Sequence, residues 1–298
     1  MSRLTLFKPN CYENYVSNRN PPDTAFFVVY SLCCVFGLVL NAFLFYAYLF
    51  GPKTLLGNRK TFVLIMKMYT ICDFLLALFL IPPIVLVSFG PYEKNIVWDI
   101  YIPIRNILLN LITVLLLALA FDRLMAAMAP TTKIWNQTLV CVLLLIPWTG
   151  GLILEIYFFI ITYTKYPCSY KYSILKIYSN YYSYQTIIVL GLFLVIYPVT
   201  FGKVVYQLNS MKANGQDKKI QIIKDNLRFT FVILALTIVI IWALLPFFLS
   251  NFGIVQNLSY LLYYSYYFIS PIDPIIFMAT NRNFRKNFGK LIKFNKFK

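Results

Sequence analysis

Apolar runs long enough to cross a hydrocarbon core recur along this chain, and short separators bearing glycine, proline or asparagine punctuate them. The runs fall at about 24–50, 61–87, 98–127, 139–162, 182–208, 229–252 and 258–279. Each reaches the ~20 residues that an α-helix needs to span ~30 Å of hydrocarbon. Between them stand Gly51-Pro52, Gly57-Asn58, Gly90-Pro91, Pro130, Pro167, Asn214-Gly215 and the stretch 251–256, all turn or breaker signals. The pattern predicts an all-α membrane protein, a bundle of seven transmembrane helices. No period of about 20 to 50 residues and no inverted similarity between halves is visible, which weakens a secondary-transporter reading.

Composition agrees. Hydrophobic residues make up 60% of the chain, charged residues 12%, and mean hydropathy is +0.70; a soluble domain carries about twice that charge. No basic stretch followed by a short apolar core and a small-residue cleavage site precedes Phe26, so the first run is expected to act as the insertion signal. Nineteen of the 27 Lys and Arg residues fall on one side of the predicted spans, which puts the C-terminus in the cytoplasm and the N-terminus outside. The expected organisation is an extracellular segment 1–23, a transmembrane domain 24–279, and a basic cytoplasmic end 280–298. The net charge of +17 is then mainly cytoplasmic, suited to anionic lipid headgroups and an acidic partner, although an orientation signal alone accounts for most of it. Nucleic-acid binding is not suggested.

Polar residues inside the runs carry the candidate chemistry. Arg105 and Arg123 stand 18 positions apart in the third run, about five helical turns or roughly 27 Å, so one face of that helix bears a charge near each membrane surface. Asn41, Asp73 and Asp273 sit near mid-membrane depth in the first, second and seventh runs. Two buried carboxylates do not both ionise cheaply, so the group should share a proton, hold a cation or bond to amides. Polar glue between helices accounts for the same residues. Pro82-Pro83, Pro147, Pro198, Pro246, Pro271 and Pro274 are expected to break the later helices and offer hinges.

The constellation resembles the rhodopsin-like (class A) G-protein-coupled receptors over nearly the whole chain, 26–288. The residues that carry the likeness are Gly37-Leu-Val-Leu-Asn41, Asp73 within Ile71-Cys-Asp-Phe-Leu-Leu-Ala77, and Asp122-Arg123-Leu124 in place of Asp-Arg-Tyr. They continue with Trp148, Pro198 followed by Tyr206, Pro246, and Asp273-Pro274-Ile-Ile-Phe277 in place of Asn-Pro-x-x-Tyr. Asn281-Arg-Asn-Phe284-Arg-Lys looks like the short amphipathic helix of the inner leaflet. Each match is weak alone; their order, each on the expected span, is specific. The resemblance implies a multi-pass plasma-membrane receptor that passes an extracellular ligand's binding to a heterotrimeric G protein by helix rearrangement. Asp122 would hold Arg123 at rest and release it toward Tyr206, with Asp273, Pro274 and Phe277 in the same switch. Asn41, Asp73 and Asp273 would form a polar hub that in relatives often holds sodium, and Pro246 would be the pivot of the sixth helix.

Departures from the family pattern shape further expectations. Leu124 and Phe277 replace tyrosines, and Asn226 stands near where many relatives carry an acid. An ionic lock on Arg123 is therefore expected to be missing and basal signalling to be high. Trp242 lies four residues before Pro246 rather than two, leaving Leu244 at the usual toggle position. Trp98 occupies the place of the usual third-helix cysteine, so the family's common disulfide cannot form. Cys11 and Cys168 face the oxidising side and are the candidate pair, with free or intermolecular thiols as the other reading.

For the ligand, Arg105 occupies the position where aminergic relatives carry an aspartate, and suits a carboxylate, a phosphate or a peptide C-terminus. A structural Arg105–Glu155 pair is the competing reading. Trp242, Tyr263 and Tyr267 would line an aromatic pocket, although tyrosines at this depth also serve as an interfacial belt. A peptide receptor or a chemoreceptor for a small anionic ligand fits best. The seventh run has no lysine for a retinal Schiff base, and a chain without histidine lacks the commonest acid–base group and metal ligand, so opsin and enzyme readings are disfavoured. A transporter or ligand-gated odorant-channel-like protein is the alternative. No cofactor is expected beyond sodium at Asp73.

Overall fold

The computed structural model describes residues 24–50, 60–79, 96–128, 137–163, 168–213, 217–251, 269–280 and 285. Among them there is no strand. Seven helices are described: α1 (Thr24–Phe50), α2 (Lys60–Phe79), α3 (Ile96–Met128), α4 (Gln137–Tyr163), α5 (Cys168–Ala213), α6 (Asp217–Asn251) and α7 (Ile269–Thr280). Four segments are long and apolar enough to cross a membrane by length and composition: Val28–Tyr48, Lys60–Phe79, Ile107–Met128 and Ile187–Met211. Leu227–Ala243 and Ile269–Ala279 are shorter apolar helices. Hydrocarbon offers backbone N–H and C=O groups no partner, so a helix, which bonds them internally, is the form such sequences take there.

The distribution of side chains agrees with a lipid solvent. Leu32, Val39, Ile153, Ile188, Leu194 and Val195 are exposed, whereas Asn41, Asp73, Asp122, Arg123, Glu155 and Asp273 are buried. A water-soluble fold would reverse much of that order. The described residues are all helical and built for a membrane.

α3 forms the axis. It packs on α2, α4, α5 and α6, while α1 packs on α2, α4 on α2 and α5, α5 on α6, and α7 on both α6 and α1. Leu108, Ile112, Leu115, Leu116 and Leu119 of α3 are buried in the main core at the three- and four-residue spacing of one helix face. Polar side chains stitch the neighbours. The Tyr197 hydroxyl and Thr237 Oγ1 lie 2.7 Å apart between α5 and α6. Gln207 Nε2 donates to the Ala127 carbonyl at 2.7 Å, tying α5 to the end of α3. Phe45 of α1 stacks on Phe74 of α2 with ring centroids 5.3 Å apart.

Two expectations need correction. The prolines do not break the helices: α5 runs through Pro198 and α7 through Pro274, and α4 and α6 continue through Pro147 and Pro246. A proline removes one backbone bond, and the surrounding helices hold the rest in place. Pro271 falls in the first turn of α7, where no intrahelical donor is required. Pro82-Pro83 lies outside the described residues. The helices also exceed the apolar runs. α5 extends over 46 residues and α6 begins at Asp217, well before the apolar run expected from residue 229, because hydropathy marks the lipid-facing length whereas helix propensity continues through Lys, Gln and Asn.

Candidate functional site

Among the described residues, three buried polar clusters lie inside this apolar bundle. The first is built on α1, α2 and α7. On α1 the buried positions Cys34, Gly37, Asn41, Leu44 and Tyr48 recur every three or four residues and form one face. Gly37 on that face lets α7 approach: a Cβ there would lie 2.6 Å from Ser270 Oγ and 3.1 Å from the Pro271 nitrogen. The approach brings α7's backbone to Asn41, whose Nδ2 donates to Ser270 O at 2.7 Å and to Gly37 O at 3.1 Å, with Ser270 Oγ at 3.3 Å. The Asn41 side chain also reaches Asp73.

On α2, Tyr69 and Asp73 are one turn apart and both buried. The Tyr69 hydroxyl donates to Asp273 Oδ2, so α2 grips α7 directly. One oxygen on each of three side chains, the Oδ1 atoms of Asn41, Asp73 and Asp273, is buried with no hydrogen-bond partner. Beside them is a small cavity lined by Tyr69, Thr70, Asp73 and Asp273, with Leu236 and Phe277 on its apolar side. Its size suits about one water-sized occupant. Asp73 and Asp273 on the wall of that space, with Asn41 beside Asp73, can take a hard cation, a water or a shared proton, each of which is cheaper than two bare carboxylates in an apolar interior. Phe277 packs edge-on against Tyr48, centroids 5.3 Å apart, and is almost fully buried.

The second cluster is at the C-terminal end of α3. Arg123 Nη2 donates to Asp122 Oδ2 at 2.5 Å, and both residues are buried. Thr61 Oγ1 of α2 donates to Asp122 Oδ1 at 2.6 Å. The Arg123 guanidinium carbon lies 4.1 Å from the centroid of the Phe62 ring. A charge pair here survives desolvation because each partner has further contacts.

The third cluster joins α3, α4 and α5. Gln185 Nε2 donates to Asn110 Oδ1, and a Cβ on Gly151 would lie 3.1 Å from Asn110 Nδ2, so the glycine leaves room for that amide. Glu155, one turn beyond Gly151 on α4, is buried.

The structure thus brings Asn41, Asp73 and Asp273 together, with Phe277 at their cavity, and pairs Asp122 with Arg123. It does not bring Tyr206 to Arg123. Tyr206 is 68% exposed, two residues past the buried Val204 and so on the opposite face of α5, where the Lys203 ammonium lies 5.6 Å from its ring centroid. Nor does Trp242 enter the bundle: Ile240 and Ala243 are buried and Trp242 is half exposed. A shift from two to four residues before Pro246 turns a side chain by about 200° around the helix. Pro274 is buried in α7. Arg105 belongs to α3, but its side chain, the Cys168 side chain, Cys11, Tyr263 and Tyr267 lie outside the described residues, and with them the Arg105–Glu155 and Cys11–Cys168 pairings. Cys33, Cys34, Cys72 and Cys141 carry free thiols.

Sequence reasoning missed Tyr69, Ser270, Thr61 and Phe62. Tyr69 was the most accessible of these, since it shares a helix face with Asp73 at a spacing of four. No protein-family model matches the chain, and no curated protein matches it.

Proposed function

We propose that the chain is a seven-span receptor of the rhodopsin-like class, set in the plasma membrane with its N-terminus outside. It converts binding of an extracellular peptide or small anionic ligand into activation of a heterotrimeric G protein. The observation that carries this reading is the meeting of three sequence-distant motif residues, Asp73 and Asp273 on the wall of one small cavity and Asn41 beside Asp73. The buried Asp122–Arg123 pair at the end of the axial helix supports it.

The mechanism is a shift between two packings of the bundle. Ligand favours the arrangement with the cytoplasmic end open, by no more than its difference in affinity for the two. Arg123 is held by Asp122 in the closed packing and becomes available to the G protein in the open one. The hub at Asp73 and Asp273 joins α1, α2 and α7 and is the element whose rearrangement links the two ends. A sodium ion suits the unpartnered oxygens of Asp73 and Asp273 beside the cavity, and its release would loosen that junction. Arg105 is the anchor for an anionic group. Chain charge on the cytoplasmic side then serves lipid headgroups and the G protein.

The test is second-messenger signalling in cells expressing the chain, screened with peptides and small anions, beside Arg123→Ala and Arg105→Ala at matched surface expression. Loss of signal with Arg123→Ala, and an Arg105→Ala change confined to anionic ligands, are the expected results. Well-expressed protein with neither basal nor evoked signal, unaffected by Arg123→Ala, would refute G-protein coupling and leave a transporter or channel as the better reading.

A further inference from the structure

The start of α2 grips both halves of the Asp122–Arg123 pair through adjacent residues. Thr61 donates to the carboxylate at 2.6 Å, and the Phe62 ring faces the guanidinium, 4.1 Å from its carbon to the ring centroid. Phe62 in turn packs on Phe229 of α6, with centroids 5.0 Å apart and planes tilted by 60°. Arg123 and Phe62 are 3% and 2% exposed, so this contact is made almost without water. The result is a continuous path from α3 through α2 to α6: carboxylate, guanidinium, aromatic ring, aromatic ring.

We propose that Phe62 and Phe229 form an aromatic clasp that holds Arg123, and keeps α6 closed on α3. A guanidinium over a ring face is attracted by the ring's quadrupole, and the attraction grows as water is removed. The tilted ring pair adds a geometric preference that an aliphatic side chain of similar size does not supply. Outward movement of α6 draws Phe229 from Phe62, loosens the ring that faces Arg123, and leaves Asp122 and Thr61 as the hold. The clasp supplies the restraint that an acidic residue would give at the position near which this chain carries Asn226. Wild-type basal activity is therefore low rather than high. Its signalling consequence rests on the receptor reading above; the clasp itself does not.

The test separates the two. Spin labels at Met128→Cys on α3 and Lys224→Cys on α6, both exposed, are placed in a background in which Cys11, Cys33, Cys141 and Cys168 are serine, leaving the buried Cys34 and Cys72 as the remaining native thiols. Distances between the labels are measured in the full chain in lipid nanodiscs. Phe62→Leu keeps apolar volume and removes the ring. It is expected to shift the closed-to-open ratio by about 5- to 30-fold toward longer distances. Phe229→Leu should act in the same direction, the double variant no further than the stronger single one, and Phe62→Tyr should match wild type. Unchanged distances in both leucine variants would overturn the clasp, as would Phe62→Tyr opening as far as Phe62→Leu. In parallel, ligand-independent second-messenger output is expected to rise in both leucine variants. Longer distances with no signal would uphold the clasp and count against the receptor reading.

Discussion

Removing the Tyr69 hydroxyl isolates one buried contact at the hub. Tyr69→Phe keeps the ring that packs in the core and deletes only the donor to Asp273 Oδ2. Tyr69 and Asp273 are 4% and 2% exposed, and Asp273 Oδ1 has no hydrogen-bond partner, so the variant leaves the whole carboxyl without its bond from α2. A hydrogen bond to such a group contributes about 1.5–3 kcal/mol. The adjoining cavity offers a water a way to take the hydroxyl's place, which returns part of that at an ordering cost of up to about 2 kcal/mol. The expected loss is therefore about 1–3 kcal/mol.

Buried free thiols give the assay. Cys34 and Cys72 are 0% and 9% exposed, and a thiol-reactive fluorophore reads their exposure on heating once Cys11, Cys33, Cys141 and Cys168 are changed to serine. Tyr69→Phe should lower the midpoint in the wild-type background and have almost no effect where Asp273 is already Ala. That non-additivity is the signature of a direct contact. Equal shifts in both backgrounds, or none in either, would refute the bond as the source of stability and with it the view that α2 and α7 are joined there.

Gly37→Ala should separate α1 from α7, since its Cβ would approach Ser270 Oγ to 2.6 Å. A loss of about 1–3 kcal/mol is expected in the thiol assay, partly restored by Ser270→Ala; a neutral Gly37→Ala would mean that the helices have room to spare. If the unpartnered Asp73 and Asp273 oxygens beside the cavity hold a cation, replacing choline chloride by sodium chloride at constant ionic strength should raise the wild-type midpoint, by mass action on the folded state. Asp73→Asn should abolish that rise, and a sodium response identical in both proteins would place the effect elsewhere.

Much of this architecture was legible beforehand because its signals are local. Apolar length alone marked the segments that became helices, and α1 at Thr24–Phe50 coincides with its apolar run. The candidate hub was visible as three polar residues at similar depth, and Asp122 and Arg123 are neighbours in the chain. Their pairing required no long-range information. The helix ends were less legible, because the solvent that hydropathy reports and the backbone preference that extends α5 and α6 are different quantities.

Contacts across the bundle were decided only by tertiary structure. Tyr69 and Asp273 are 204 positions apart, and Thr61 and Asp122 are 61 apart; nothing in either local sequence names the other. Rotation about each helix axis settles such matters. Two residues' difference in register carries Trp242 and Tyr206 to the outer face, while the same geometry turns Phe62 inward onto Arg123. The sequence by itself determined that the chain makes apolar helices with a few polar residues too costly to leave facing lipid. Which of those residues meet was determined by packing, because helix rotation and depth answer to all neighbours at once and to no single segment.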